Sequence, residues 1–214
     1  MKARPSPRSV DLQRFPRVYP ILDSGSLGAR GVSAVRLARS LAEAGVRIAQ
    51  FRHKGPFTRA AYEQAARVAA VFRASGTCFV VNDRADIALA LGADGVHVGQ
   101  EDLPPDVVRG LVGPAMLLGY STHNAGQLVA QECRWADYLA IGPAFGTSTK
   151  RDPDPVVGLA GVREARSLTA KPLVAIGGID LGNARDVFAA GADSVSMISA
   201  LSVANLADWM LMER

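Results

Sequence analysis

Asp83, in VVNDR, and Asp102, in HVGQEDLP, each follow a short apolar run with a carboxylate. Two carboxylates with an amide beside one of them, Asn82, suit a hard, oxygen-seeking ion. Mg²⁺ in particular is usually held by one or two carboxylates together with substrate phosphates. The segment QFRHKG places Gln50, Arg52 and Lys54 at period two, so all three face one side if a strand continues that far. Further along, Ser121-Thr122-His123 forms a polar cluster, and GPAFGTSTK carries Thr147, Thr149 and Lys150. Arg52, Lys54 and Lys150 supply positive charge that suits a diphosphate departing with several negative charges. These groups can act together only if one scaffold brings them to a common edge.

The rest of the chain indicates such a scaffold. Short β-rich runs recur at 17–22, 46–51, 77–81, 95–98, 115–120, 137–142, 172–177 and 194–198. Between most of them lie stretches with helical spacing, among them SAVRLARSLAEAG, AAYEQAARVAAVFRASG, DIALALGA, NAGQLVAQECRWA and NARDVFAAGA. Several helices close on glycine, at Gly45, Gly76 and Gly191. Strands that are apolar along their length and alternate with helices predict a parallel sheet covered by helices. About eight such units in just over 200 residues fit a single-domain (β/α)8 barrel, with a doubly wound open sheet as the alternative. In a barrel every strand points the same way, so Asp83 and Asp102 share the C-terminal rim, where barrel enzymes keep their chemistry. Gly177-Gly178 and Ile198-Ser199 then fall at strands seven and eight, the usual place for a phosphate held by free backbone N–H groups. The pattern implies two anion sites in one pocket, a metal-bound diphosphate and a monophosphate.

Each residue also has a plainer reading. Asp83 could pair with Arg84 or cap the next helix. Gly177-Gly178 could serve only a turn. His97, inside an apolar strand, reads as a satisfied core histidine rather than a base, and Thr147 and Thr149 could be ordinary loop residues. What outweighs these readings is the coincidence of all the groups on one rim.

Composition bounds the class. The chain has 214 residues, 49% hydrophobic, enough for one α/β domain with a sizeable core. Its net charge of +4 could hint at nucleic acid, but Lys2, Arg4, Arg8 and Arg14 sit in an N-terminal segment, 1–16, that reads as a flexible basic tail before a catalytic barrel at 17–214. The remaining basic residues are scattered, which fits anionic small substrates better than a nucleic-acid face. Cys78 and Cys133 have no metal spacing and are expected to be reduced, inert thiols. The N-terminus lacks an apolar h-region and no run approaches a membrane span, so a cytoplasmic protein with no membrane partner is expected. A homo-oligomer is compatible with the sequence.

Read in order, Q-F-R-H-K (50–54), V-N-D-R (81–84), H-V-G-Q-E-D-L-P (97–104), S-T-H (121–123), G-P-x-F-x-T-x-T-K (142–150) and A-I-G-G-I (175–179) closely resemble the thiamine phosphate synthase family. The likeness runs over about residues 17 to 200. It implies a (β/α)8 barrel that joins hydroxymethylpyrimidine diphosphate to thiazole phosphate and releases diphosphate. Carried over position by position, the resemblance makes Asp83 and Asp102 magnesium ligands. It makes Arg52, Lys54, Ser121 and Lys150 diphosphate ligands, and it turns Gln50 and Asn82 toward the pyrimidine. Thr147 and Thr149 match the loop over the thiazole, while Gly178, Ile198 and Ser199 match its phosphate site.

Three departures stand out: His53 where an acidic residue is usual, Gly146 where the family often has proline, and an unusual glycine-rich loop, SGSLGARG, after the first strand. No nucleophile with an adjacent base is evident, and the implied reaction needs none. A related thiazole tautomerase, which uses a histidine where this chain has His123, a non-catalytic phosphate-sensing barrel and a nucleic-acid binder are the competing readings. The first two leave a full set of diphosphate ligands without a use.

Overall fold

The computed structural model describes residues 10–147 and 154–213. Eight strands, β1 (Val18–Asp23), β2 (Ile48–Arg52), β3 (Cys78–Asn82), β4 (Gly95–Val98), β5 (Leu117–Thr122), β6 (Tyr138–Ile141), β7 (Leu173–Ile176) and β8 (Ser194–Met197), form a closed barrel in sequence order. All neighbours are parallel, and closure is made by β1 on β8 through Val18 opposite Val195, Tyr19 opposite Ser196 and Pro20 opposite Met197. The closing pair rules out the open sheet. The strand ends therefore form one rim, as the alternation of elements predicts.

Helices α1 (Ser24–Ala29), α2 (Ala34–Glu43), α3 (Arg59–Ser75), α4 (Ala85–Leu91), α5 (Pro105–Val112), α6 (Ala125–Leu128), α7 (Gly158–Leu168), α8 (Ala184–Ala189) and α9 (Leu206–Leu211) follow the strands. The longest, α3, is capped by Thr58, whose hydroxyl accepts from Ala61 N, and it ends on left-handed Gly76. It buries Ala61, Ala65, Val68, Ala69 and Phe72, a stripe at helical spacing, against the barrel.

Two stretches differ from their sequence reading. The glycine-rich stretch after β1 is helical over Ser24–Ala29, because Asp23 accepts a hydrogen bond from Ser26 N at 2.7 Å and caps it. The segment 124–136, with helical spacing, is instead one α-turn, α6, and a 3₁₀ helix at Gln131–Trp135. Ala130, in an extended conformation (φ −66°, ψ 151°), breaks it, so that Leu128 and Cys133 both reach the core and Val129 stays exposed.

Alternation along each strand separates two cores. Phe79 and Val81 point outward to the helices, whereas Cys78 and Val80 join Tyr19, Ile48, Leu117, Tyr138, Ala140 and Val174 in the lumen. Phe15 closes this inner cluster from below, with its ring 5.1 Å from that of Tyr138. Val10–Pro16 thus includes a 3₁₀ turn, Leu12–Arg14, and a buried plug, while residues 1–9 of the expected tail lie outside the described residues. Gly119 is what allows aromatic side chains to cross so narrow a lumen. A Cβ there would stand 2.1 Å from the Tyr138 ring and 2.3 Å from His97 Nδ1.

The opposite, N-terminal end is stapled by aspartates that precede even-numbered strands. Asp94 accepts from Phe79 N at 2.9 Å, Asp137 from Leu118 N at 2.8 Å and Asp193 from Leu173 N at 2.8 Å. Carboxylates at this end satisfy strand N–H groups. Those at the other end face a cavity.

Candidate active site

A cavity of about 330 Å³ opens at the C-terminal rim. Its lining includes Gln50, Arg52, Lys54, Asn82, Asp83, Asp102, Ser121, Thr147, Gly178, Ile198 and Ser199. Every described candidate from the sequence is therefore in one place. Thr149 and Lys150 lie outside the described residues.

Asp83 sits just past β3 with φ 63°, the only non-glycine with positive φ among the described residues. Its N–H donates to His97 O at 2.7 Å, tying the turn to β4. The plainer roles for it fall away: Arg84 pairs with Asp86, and α4 begins at Ala85 with Arg84 as its N-cap and no side-chain cap. Instead the Asp83 carboxylate accepts from Lys54 Nζ at 2.6 Å and lies beside the Asp102 carboxylate. Burial, together with that neighbouring carboxylate, raises its pKa to about 6 against the pull of Lys54. Asp102 is held in place by Gly99 N, which donates to its Oδ2 at 2.7 Å.

The other cation of the QFRHK segment is also paired. Arg52 Nη1 donates to Asp23, the last residue of β1, which is 6% exposed. Asp23 was not among the sequence candidates, though its position at the end of YPILD gave a signal: it is a carboxylate on the same rim. Beside it, His53 Nδ1 lies 2.7 Å from Ser24 Oγ, so the unusual histidine links the loops after β1 and β2.

Asn82 is 8% exposed, and its Nδ2 has no hydrogen-bond partner among the described residues. A buried amide donor facing a cavity is costly unless a ligand accepts from it. Gln50, 2% exposed, directs its Nε2 to Tyr19 Oη at 3.1 Å. His97 is a satisfied core histidine, with Tyr138 Oη 2.9 Å from Nδ1 and Ser121 Oγ 2.8 Å from Nε2. Burial lowers its pKa to about 4, so the ring is neutral at pH 7. Burial also raises the phenols of Tyr19 and Tyr138, which keep their protons.

Gly177 and Gly178 have a packing role as well. A Cβ at Gly178 (φ 63°) would stand 2.5 Å from Gly146 O, so the loop after β6 passes directly over this turn. Phe145 N donates to Gly177 O at 2.9 Å and fixes that crossing. His123, at the end of β5, donates from Nδ1 to Gly142 O at 2.7 Å, and Asp154 Oδ2 lies 3.4 Å from the same nitrogen.

Two adjacent carboxylates could hold a hard cation, since their mutual repulsion is relieved by one. No group of three His, Cys, Asp or Glu that could hold a metal occurs among the described residues. Such an ion would have to take further oxygens from a substrate.

A closed parallel barrel whose cavity, carrying charged and polar side chains, opens at the C-terminal ends of its strands defines an enzyme of the (β/α)8 class. The family model described as thiamine monophosphate synthase matches residues 18–201. A thiamine-phosphate synthase of Koribacter versatilis (strain Ellin345) is 46% identical over 192 residues, covering 89% of this chain and 90% of that protein. One of Laribacter hongkongensis (strain HLHK9) is 45% identical, covering 87% of this chain and 88% of that protein. Among solved structures, thiamine phosphate pyrophosphorylase from Pyrococcus furiosus superposes with a TM-score of 0.81 at 31% identity, covering 95% of this chain and 98% of that one. The chain belongs to the thiamine monophosphate synthase family and is a transferase of thiamine biosynthesis. No described helix is long and apolar enough to cross a membrane.

Proposed function

We propose that the cavity couples hydroxymethylpyrimidine diphosphate to thiazole phosphate, giving thiamine phosphate and diphosphate, by dissociative loss of the diphosphate. The observation that carries this reading is the convergence of Asp83 and Asp102 beside Lys54 on a rim that also holds Arg52 and Ser121. Asp83 and Asp102 would hold Mg²⁺, which when bound supplies positive charge to the departing diphosphate. Arg52 and Lys54 would exchange their present partners, Asp23 and Asp83, for diphosphate oxygens.

As the C–O bond breaks, its electron pair leaves with the diphosphate, and the electron-rich aminopyrimidine carries the positive charge. The thiazole nitrogen then donates its lone pair to the methylene carbon, forming the C–N bond. No proton transfer is needed, which suits a site whose buried histidine is neutral and already engaged through both nitrogens. Asn82 and Gln50 would fix the pyrimidine, using the buried amide that lacks a protein partner among the described residues. Thr147 would contact the thiazole, with its phosphate near Gly178, Ile198 and Ser199. Thr149 and Lys150 are assigned by resemblance to the thiazole loop and the diphosphate. Catalysis is then charge stabilisation, positioning and exclusion of water.

Mixing the two substrates with Mg²⁺ and measuring thiamine phosphate tests the reading directly. Product is expected only with the divalent ion, and the ion alone should bind weakly until diphosphate is added. Full activity in excess chelator would remove the metal from the scheme. Absence of product under all metal conditions would remove the reaction itself. The tautomerase reading keeps one observation in its favour, the presence of His123 in the same cavity, and it leaves the paired carboxylates unused.

A further inference from the structure

A chain of hydrogen bonds runs beneath the cavity from Gln50 to Ser121. Gln50 Nε2 donates to Tyr19 Oη at 3.1 Å, and Tyr19 Oη lies 2.9 Å from Tyr138 Oη. Tyr138 Oη is 2.9 Å from His97 Nδ1, and His97 Nε2 is 2.8 Å from Ser121 Oγ. Each phenol carries one proton and a neutral imidazole carries one, so the choice made at one end propagates to the other. With amide hydrogens presented to Tyr19, the Tyr19 proton goes to Tyr138 and the Tyr138 proton goes to His97 Nδ1. The imidazole proton then sits on Nε2 and is donated to Ser121 Oγ. The Ser121 hydroxyl proton is thereby left for a partner other than His97, on a residue that lines the cavity. Reversal would set hydrogens face to face between Gln50 and Tyr19 unless the amide turned over.

We propose that Tyr19, Tyr138 and His97 are positioning residues that hold the Ser121 hydroxyl as a donor to the leaving diphosphate, and that the pyrimidine bound at Gln50 sets the direction of the chain. This rests on the function proposed above. With Nε2 committed to Tyr19, Gln50 Oε1 is the atom available to a donor, and the amino group of the pyrimidine is one. That contact locks the amide in the orientation that polarises the chain toward Ser121. Occupation of the pyrimidine end prepares the diphosphate end before the C–O bond breaks.

The test combines ¹⁵N NMR of the imidazoles with kinetics. The chain has three histidines, so the His97 signal can be assigned. Wild-type His97 is expected as the Nε2–H tautomer. Gln50→Glu replaces the donor with a carboxylate that only accepts, so it should reverse the chain and move the proton to Nδ1. Tyr138→Phe keeps the ring but removes a link, and should lower kcat about tenfold while the KM for thiazole phosphate stays within about twofold. Tyr19→Phe should do the same, and the double variant should be no worse than Tyr138→Phe, because links in series are not additive. A wild-type Nδ1–H tautomer, one unmoved by Gln50→Glu, or full kcat in Tyr138→Phe would overturn the proposal. Should Tyr138→Phe not fold, Tyr19→Phe and the wild-type tautomer still decide it. A wild-type protein that makes no thiamine phosphate would refute the proposed reaction instead, with the tautomer still reporting the chain's direction.

Discussion

Replacing Asp102 by asparagine should stabilise the metal-free protein while it abolishes coupling. In the fold, burial and the neighbouring Asp102 raise Asp83 from 3.8 to about 6. A raised carboxylate pKa means that the folded state binds the extra proton between those values. Stability is therefore lost as pH rises through that window, and the full cost is present at pH 7 and above. About two pKa units correspond to ~3 kcal/mol, at 1.36 kcal/mol for each. Burial is the largest cause and survives the substitution, and Lys54 opposes it. The share returned by removing the Asp102 charge is about 1 kcal/mol, or ~2–4 °C in Tm for a chain of this size. The asparagine carbonyl can still accept from Gly99 N, which keeps the loop in place. Urea denaturation in chelator at pH 7.5 should show the gain, and at pH 5, where Asp83 is largely protonated when folded, the gain should shrink. Thiamine phosphate formation by the same variant should fall by orders of magnitude. A variant less stable than wild type at both pH values, with coupling retained, would make Asp102 a loop clip and refute the shared-ion argument.

Asp83→Asn should also cost orders of magnitude in coupling with folding intact, and the double variant with Asp102→Asn should be little worse than either single, because ligands of one ion act as a unit. His123→Asn should leave coupling largely intact; loss of activity there with both Asp variants active would replace the synthase by an acid–base isomerase. Lys150→Ala should lower turnover more than it weakens thiazole phosphate binding, whereas unchanged turnover with a raised KM would move Lys150 to the other anion site. His97, lowered from 6.5 to about 4 by burial, makes the unfolded chain the better proton acceptor between those values. Its contribution to stability should thus be lost as pH drops from 6.5 toward 4, by ~3 kcal/mol, opposing the gain from protonating Asp83 in nearly the same window, so His97→Gln should make the protein gain stability on acidification relative to wild type.

The candidate site is legible in the sequence because its residues occupy short segments at strand ends. Q-F-R-H-K and V-N-D-R carry their chemistry within a few positions, and parallel strands place all such segments on one rim. The partners of those residues are less legible. Arg52 at the end of β2 pairs with Asp23 at the end of β1, and Lys54 just past β2 pairs with Asp83 just past β3. Tyr19, Tyr138 and His97 sit in strands that are apolar along their whole length, where no alternation tells the lumen from the helical face. Their common contact depends on barrel closure and on Gly119 leaving the lumen open.

By itself the sequence determines the alternation of strand and helix, the eight-unit count, the glycine ends of helices and the identity of the rim groups, since these follow from local periodicity and loop chemistry. Tertiary structure alone decides the closing β1–β8 register, the break at Ala130, and the partners that the buried polar groups of the lumen meet. The reason is physical. Local propensity acts over a few residues, whereas the pairing of Asp83 with Asp102 and the chain from Gln50 to Ser121 join groups from separate strands, and only a closed barrel gives them a shared, desolvated space.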